Sequence, residues 1–125
     1  MSHYRKGAFF ERQLKKFFED KGFFVVRAAG SGVAGDAPDL IVLSSSKKFG
    51  IECKAWKNAI HLDKPTVVSY KEWTRITGMP VFLAWKMPRK EWRFFPIEIL
   101  RETPNGFALS VIELQSGLTL EQLIP

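Results

Sequence analysis

Two apolar runs sit unusually close together in this chain. Asp39-Leu40-Ile41-Val42-Leu43 is followed, after only Ser44-Ser45-Ser46-Lys47-Lys48, by a second β-rich run over residues 49–56. A parallel connection needs a crossover of a dozen or more residues, so a gap this short predicts an antiparallel pair. Side chains alternate faces along a strand. Ile51, Cys53 and Ala55 therefore share one face, which reads as core, while Glu52 and Lys54 share the other. Asp39 begins the neighbouring strand directly after Pro38, so pairing lets Asp39 and Glu52 converge at one end of the sheet.

The remaining elements follow from periodicity and punctuation. Phe10, Leu14, Phe17 and Phe18 repeat at i, i+4, i+7, i+8 and predict an amphipathic helix over 7–21, closed by Gly22. Residues 23–26 form a short strand and 28–38 a glycine-rich loop. Residues 57–64 read as another loop, and Pro65 and Gly78 bracket a second helix. A fourth strand is expected over 81–85 and a fifth over 92–100, with Pro96 marking an edge. A tight turn at Thr103-Pro104-Asn105-Gly106 leads to a strand over 107–114 and a last helical turn over 118–123. The expected class is α/β, with a mixed central β-sheet flanked by helices. With 125 residues, 46% of them hydrophobic, the chain supports one core and one domain over 1–125.

Several function classes drop out. No apolar run reaches the ~20 residues of a membrane helix, and no signal-length apolar stretch follows the first residues. The lone Cys53 permits no internal disulfide and no multi-cysteine zinc site, and packs as an inert core residue. A soluble, intracellular, cytoplasmic protein is the expectation. His3 and His61 have no evident acidic partner, which argues against a nucleophilic triad. Gly30-Ser31-Gly32-Val33-Ala34-Gly35 spells a dinucleotide fingerprint, but Asp36-Ala37-Pro38 runs straight into a strand. No helix is left to hold a pyrophosphate.

The charge of +6 suggests an anionic partner, and its distribution says more. Residues 1–27 carry seven basic and three acidic side chains, 47–64 five and two, and 86–93 four and one. From Phe94 onward there is one Arg against four Glu, so the last quarter is not expected to meet phosphate.

Two carboxylates at close range repel unless a cation lies between them. Oxygen ligands with water in the remaining positions suit magnesium, with manganese as a substitute. Lys54 beside them could orient a water or stabilise charge on a phosphoryl group, which fits phosphodiester hydrolysis. The alternative is an ordinary Glu–Lys pair on a sheet face. Glu11 lies roughly 70° from the centre of the helix's apolar stripe and can tuck beneath the sheet edge. Its alternative is a boundary glutamate paired with Lys15. Taken together with Asp39, Glu52 and Lys54, it favours the functional reading.

These residues resemble the archaeal Holliday junction resolvases of the PD-(D/E)xK nuclease superfamily. The likeness runs through Tyr4-Arg5-Lys6-Gly7-Ala8, Glu11-Arg12, Val25-Val26-Arg27, Gly30-Ser31-Gly32, Pro38-Asp39-Leu40-Ile41-Val42 and Ile51-Glu52-Cys53-Lys54. It continues through Pro80-Val81-Phe82-Leu83-Ala84, Trp92-Arg93-Phe94-Phe95 and Gly117-Leu118-Thr119-Leu120-Glu121. The resemblance implies a restriction-endonuclease-like fold and a magnesium-dependent endonuclease that resolves four-way DNA junctions in recombination and repair. Glu11, Asp39 and Glu52 would hold the metal, Lys54 would assist the attacking water, and Ser31 would be a further active-site residue. Arg5, Lys6, Arg12 and Arg27 would contact DNA phosphates. Cys53 stands where an aliphatic residue is usual, and 55–62 departs more from the family pattern.

The resemblance also implies a homodimer, which supplies two paired nicks related by a two-fold axis. The acidic, apolar C-terminal region is a candidate dimer surface through Phe94, Phe95 and Phe107, unless these are sheet core. No base-reading motif is evident, so recognition by shape, steeply weakened by salt, is expected. A nuclease for flaps or damaged duplex, and a DNA-binding accessory without catalysis, are the competing readings.

Overall fold

The first helix starts earlier than its apolar stripe requires. In the computed structural model, which describes residues 3–28 and 37–125 with side chains from Gly7 onward, α1 spans His3–Asp20. Leu14 and Phe18 are fully buried and Phe10 and Phe17 pack beside them, as the i, i+4, i+7, i+8 spacing dictates. Strands β1 (Phe24–Arg27), β2 (Leu40–Leu43) and β3 (Lys48–Ala55) follow, each antiparallel to the one before. The expected hairpin between β2 and β3 is present, and Ser44 closes its turn against Lys47.

From β3 the chain crosses over through β4 (Ile60–Asp63) and α2 (Lys64–Thr77) to β5 (Val81–Lys86), which lies parallel to β3. Asp63 caps α2 by accepting the Thr66 N–H at 3.0 Å, Pro65 sits in its first turn, and Gly78 ends it with φ +74°. That left-handed conformation is one glycine adopts without a Cβ penalty. Strand β6 (Arg93–Pro96) pairs antiparallel with β5, giving the sheet order β1-β2-β3-β5-β6. Pro96 thus lies in an edge strand, as its missing donor requires.

The sequence reading missed a second sheet. Residues 57–64 are not all loop, because β4 pairs with β8 (Gly106–Leu109), which pairs with β7 (Arg101–Thr103). Four residues with alternating burial are too few to rise above the flanking polar residues. The strand expected over 92–100 stops at Pro96 and gives way to a 3-10 turn, Ile97–Ile99, that sinks Ile97 and Leu100 into the core. The strand expected over 107–114 ends at Leu109. There a Ser110–Glu113 capping box starts a second 3-10 segment, Val111–Ser116. A final helix, α3, covers Leu120–Leu123.

The five-stranded sheet is covered on both faces. On one face α1 and α3 bury Leu14, Phe18, Leu40, Val42, Phe49, Ile51 and Phe94. On the other, α2 and the small sheet bury Leu62, Val67, Tyr70, Leu83, Trp85 and Phe95. Phe94 and Phe95 are therefore sheet core and not a dimer surface, and Phe107 is only partly buried. Among the described residues, no helix is long and apolar enough to cross a membrane.

Candidate active site

Register places the acids. Leu40 on β2 faces Ile51 on β3, so Asp39, one residue earlier, falls opposite Glu52. Both carboxylates leave the sheet on the α2 face, since Glu52 aligns with Leu83 of that core. Gly50 leaves room for the Pro38 ring, because a Cβ built there would lie 2.6 Å from Pro38 Cγ. The Pro38-Asp39 corner is thereby seated directly on β3.

Each acid has a defined holder. The backbone N–H of Cys53 donates to Asp39 Oδ2 at 2.8 Å. The Tyr70 hydroxyl, projecting from α2, donates to Glu52 Oε1 at 2.6 Å. Lys54 Nζ lies 3.8 Å from Glu52 Oε2, and its side chain is 38% exposed. Glu52 is the buried charged residue of the described set, at 9% exposure. The Glu–Lys pair of the alternative reading is thus present, but with Glu52 buried against Tyr70 of α2.

The pair is electrostatically unsatisfied. Burial and the adjacent Glu52 carboxylate push Asp39 from 3.8 up to about 7, against the opposing pull of the Cys53 N–H and Lys54. Asp39 and Glu52 therefore sit close enough that the charge of one disfavours ionisation of the other. Burial and then Glu52 raise the Tyr70 hydroxyl, which keeps it a donor at any physiological pH. Burial, followed by the field of Asp39, likewise keeps the Cys53 thiol protonated.

Glu11 arrives by another route. Arg27 on β1 aligns with Leu40, so it leaves the sheet on the α1 face, and its Nε–H donates to Glu11 Oε1 at 2.9 Å. Lys15, its alternative partner, pairs with Glu19 instead. Burial and the field of Asp39 raise the Glu11 carboxyl while Arg27 and Arg12 lower it. Glu11 thus feels Asp39 around the end of the sheet. Among the described residues, no group of three His, Cys, Asp or Glu side chains stands at metal-holding spacing. Two adjacent carboxylates that disfavour each other's ionisation nevertheless offer the hard oxygens a small divalent cation takes.

The other expected site residues divide plainly. Ser31 lies outside the described residues, as do the side chains of Arg5 and Lys6. Arg12 is exposed on α1, and Arg27 is engaged with Glu11. Sequence reasoning missed Tyr70 and the cleft of about 490 Å³ that opens on Glu52 and Lys54. Its far wall is β4, the start of α2 and the β7–β8 turn, with His61, Asp63, Thr66 and Asn105 lining it. A tyrosine within an apolar helix face was the available signal, because a buried hydroxyl demands a partner.

A mixed sheet between helices, with Asp39, Glu52 and Lys54 at one end, defines the restriction-endonuclease-like class. A solved structure, that of an Archaeoglobus fulgidus Hjc, a Holliday junction resolvase from an archaeal hyperthermophile, superposes with a TM-score of 0.84. It has 29% identity and 94% of each chain is covered. The profile of the family described as archaeal Holliday junction resolvase (Hjc) matches residues 2–125. The chain is 34% identical to the crossover junction endodeoxyribonuclease Hjc of Sulfurisphaera tokodaii, over 98% of this chain and 88% of that protein. It is 32% identical to the enzyme of the same name from Archaeoglobus fulgidus, over 94% and 88% respectively. The chain belongs to the archaeal Holliday junction resolvase family.

Proposed function

We propose that this protein is a structure-selective DNA endonuclease that resolves four-way junctions by metal-dependent phosphodiester hydrolysis. The observation that carries this reading is the Asp39–Glu52 pair with Lys54 beside it, in a chain that matches the resolvase family along its length. Asp39 and Glu52 would hold magnesium, or manganese in its place, with Glu11 contributing from the α1 side. A bound ion of this kind supplies Lewis-acid polarisation of the scissile phosphate and a more acidic water.

The chain's own groups do the rest. The Cys53 N–H fixes the Asp39 carboxylate, and Tyr70 fixes one oxygen of Glu52. The Lys54 ammonium orients the attacking water and meets the negative charge that develops on the phosphoryl oxygens. Ser31 would add a hydroxyl to the same region. Arg5, Lys6, Arg12 and Arg27 would grip backbone phosphates. A guanidinium can hold a carboxylate through Nε and a phosphate through its terminal nitrogens, so the Glu11 contact does not disqualify Arg27.

Two nicks in strands related by near two-fold symmetry call for two active sites, so the working form is a homodimer. Exposed Ile99, Val111 and Ile112 in the acidic C-terminal region support a protein contact there in place of DNA. With DNA as substrate, the proposed place of work is the cell interior. The test is nicking of an immobile four-way junction, a flap and a linear duplex with and without magnesium. Selective, magnesium-dependent nicking of the junction is expected. Equal cleavage of the linear duplex, or cleavage in chelator, would overturn the reading.

A further inference from the structure

The buried Tyr70–Glu52 contact joins an element outside the sheet to the acid on which the site depends. Tyr70 is 4% exposed, deep in the core shared by α2 and the small sheet, and its ring packs among Leu62, Val67 and Leu83. Its hydroxyl lies 2.6 Å from Glu52 Oε1. The other oxygen, Oε2, is the one Lys54 approaches. A carboxylate on a two-bond stem can turn about its last torsion and present either oxygen or both. The hydrogen bond from Tyr70 removes that freedom: it occupies Oε1 and leaves Oε2 toward the ammonium and the open cleft.

We propose that Tyr70 is a positioning residue that sets Glu52 to offer a single oxygen to a divalent cation. This rests on the reading of Asp39 and Glu52 as the metal-holding pair. Tyr70 sits in α2, whose start is capped by Asp63 at the end of β4. The small sheet and the crossover helix therefore set the orientation of a ligand that itself belongs to β3. Partners that orient a ligating carboxylate in this way are typically worth 10–100-fold in metal affinity or activity.

Tyr70→Phe keeps the ring in the core and deletes only the donor. Manganese affinity of the full chain, read by calorimetric titration without DNA, is expected to weaken by roughly tenfold or more. The magnesium concentration for half-maximal junction nicking is expected to rise in parallel, with junction binding in chelator unchanged. In a Glu52→Gln background, Tyr70→Phe is expected to change manganese affinity no further, because the oriented charge is already gone. A thermal melt identifies a folding defect. If Tyr70→Phe melts low, the comparison of Glu52→Gln with the double variant still reads the coupling.

Unchanged manganese affinity in Tyr70→Phe overturns the proposal. So does an equal loss in both backgrounds, which would mark a purely structural tyrosine. Failure of the underlying reading looks different: Asp39→Asn and Glu52→Gln would then leave manganese affinity and nicking intact.

Discussion

Asp39 is expected to destabilise the metal-free protein, and Asp39→Asn tests this directly. Its carboxyl titrates at about 7 in the fold against 3.8 as a free group, through burial and then the field of Glu52. Between those two pH values the folded chain holds more protons than the unfolded one, so stability falls as pH rises. The effect is absent below about 4 and complete above about 7. At about 1.4 kcal/mol per pH unit, that interval corresponds to roughly 4 kcal/mol as an upper bound. Asparagine cannot ionise, yet its carbonyl oxygen can still accept the Cys53 N–H. In chelator at pH 8 the variant is expected to be more stable than the wild type by on the order of 2 kcal/mol, some 5–10 °C in melting temperature. Near pH 4 the two should converge.

Urea denaturation across pH 4–8 provides the measurement. Magnesium should narrow the gap at pH 8 by stabilising the wild type, while Asp39→Asn gains little and no longer nicks junctions. A variant less stable than the wild type at pH 8, or a difference independent of pH, would refute the reasoning.

Three further outcomes are expected. Lys54→Met should lower the single-turnover nicking rate by a hundredfold or more with little change in junction affinity, as found when a charge-stabilising donor is removed; gel-shift and nicking assays on the same junction check this. Gly50→Ala should press on Pro38 and displace Asp39. A loss of about 1–3 kcal/mol by denaturant melt and a reduced nicking rate should appear together. Phe18→Ala, fully buried against Phe49 and Phe94 on the sheet face opposite Asp39 and Glu52, should cost about 3–5 kcal/mol while the folded fraction keeps its nicking rate.

What the sequence determined by itself is the part governed by short-range geometry. So short a gap forces β2 and β3 antiparallel, and the two-residue strand period then puts Glu52 and Lys54 on one face with Asp39 opposite. The helix period similarly buries Leu14 and Phe18 and shows which side of α1 meets the sheet. Pro65 and Gly78 bracket α2 because proline and glycine act on their own backbone.

Tertiary structure decided everything that depends on where distant segments meet. Glu11 finds Arg27 sixteen residues on instead of Lys15, because Arg27 leaves β1 on the face that α1 covers. Tyr70 meets Glu52 because the crossover lays α2 across the face opposite α1. The four-residue β4 becomes a strand only because β8, more than forty residues later, completes its ladder. Period and turn chemistry are properties of a few consecutive residues, whereas a buried carboxylate takes whatever donor the packed core brings to it.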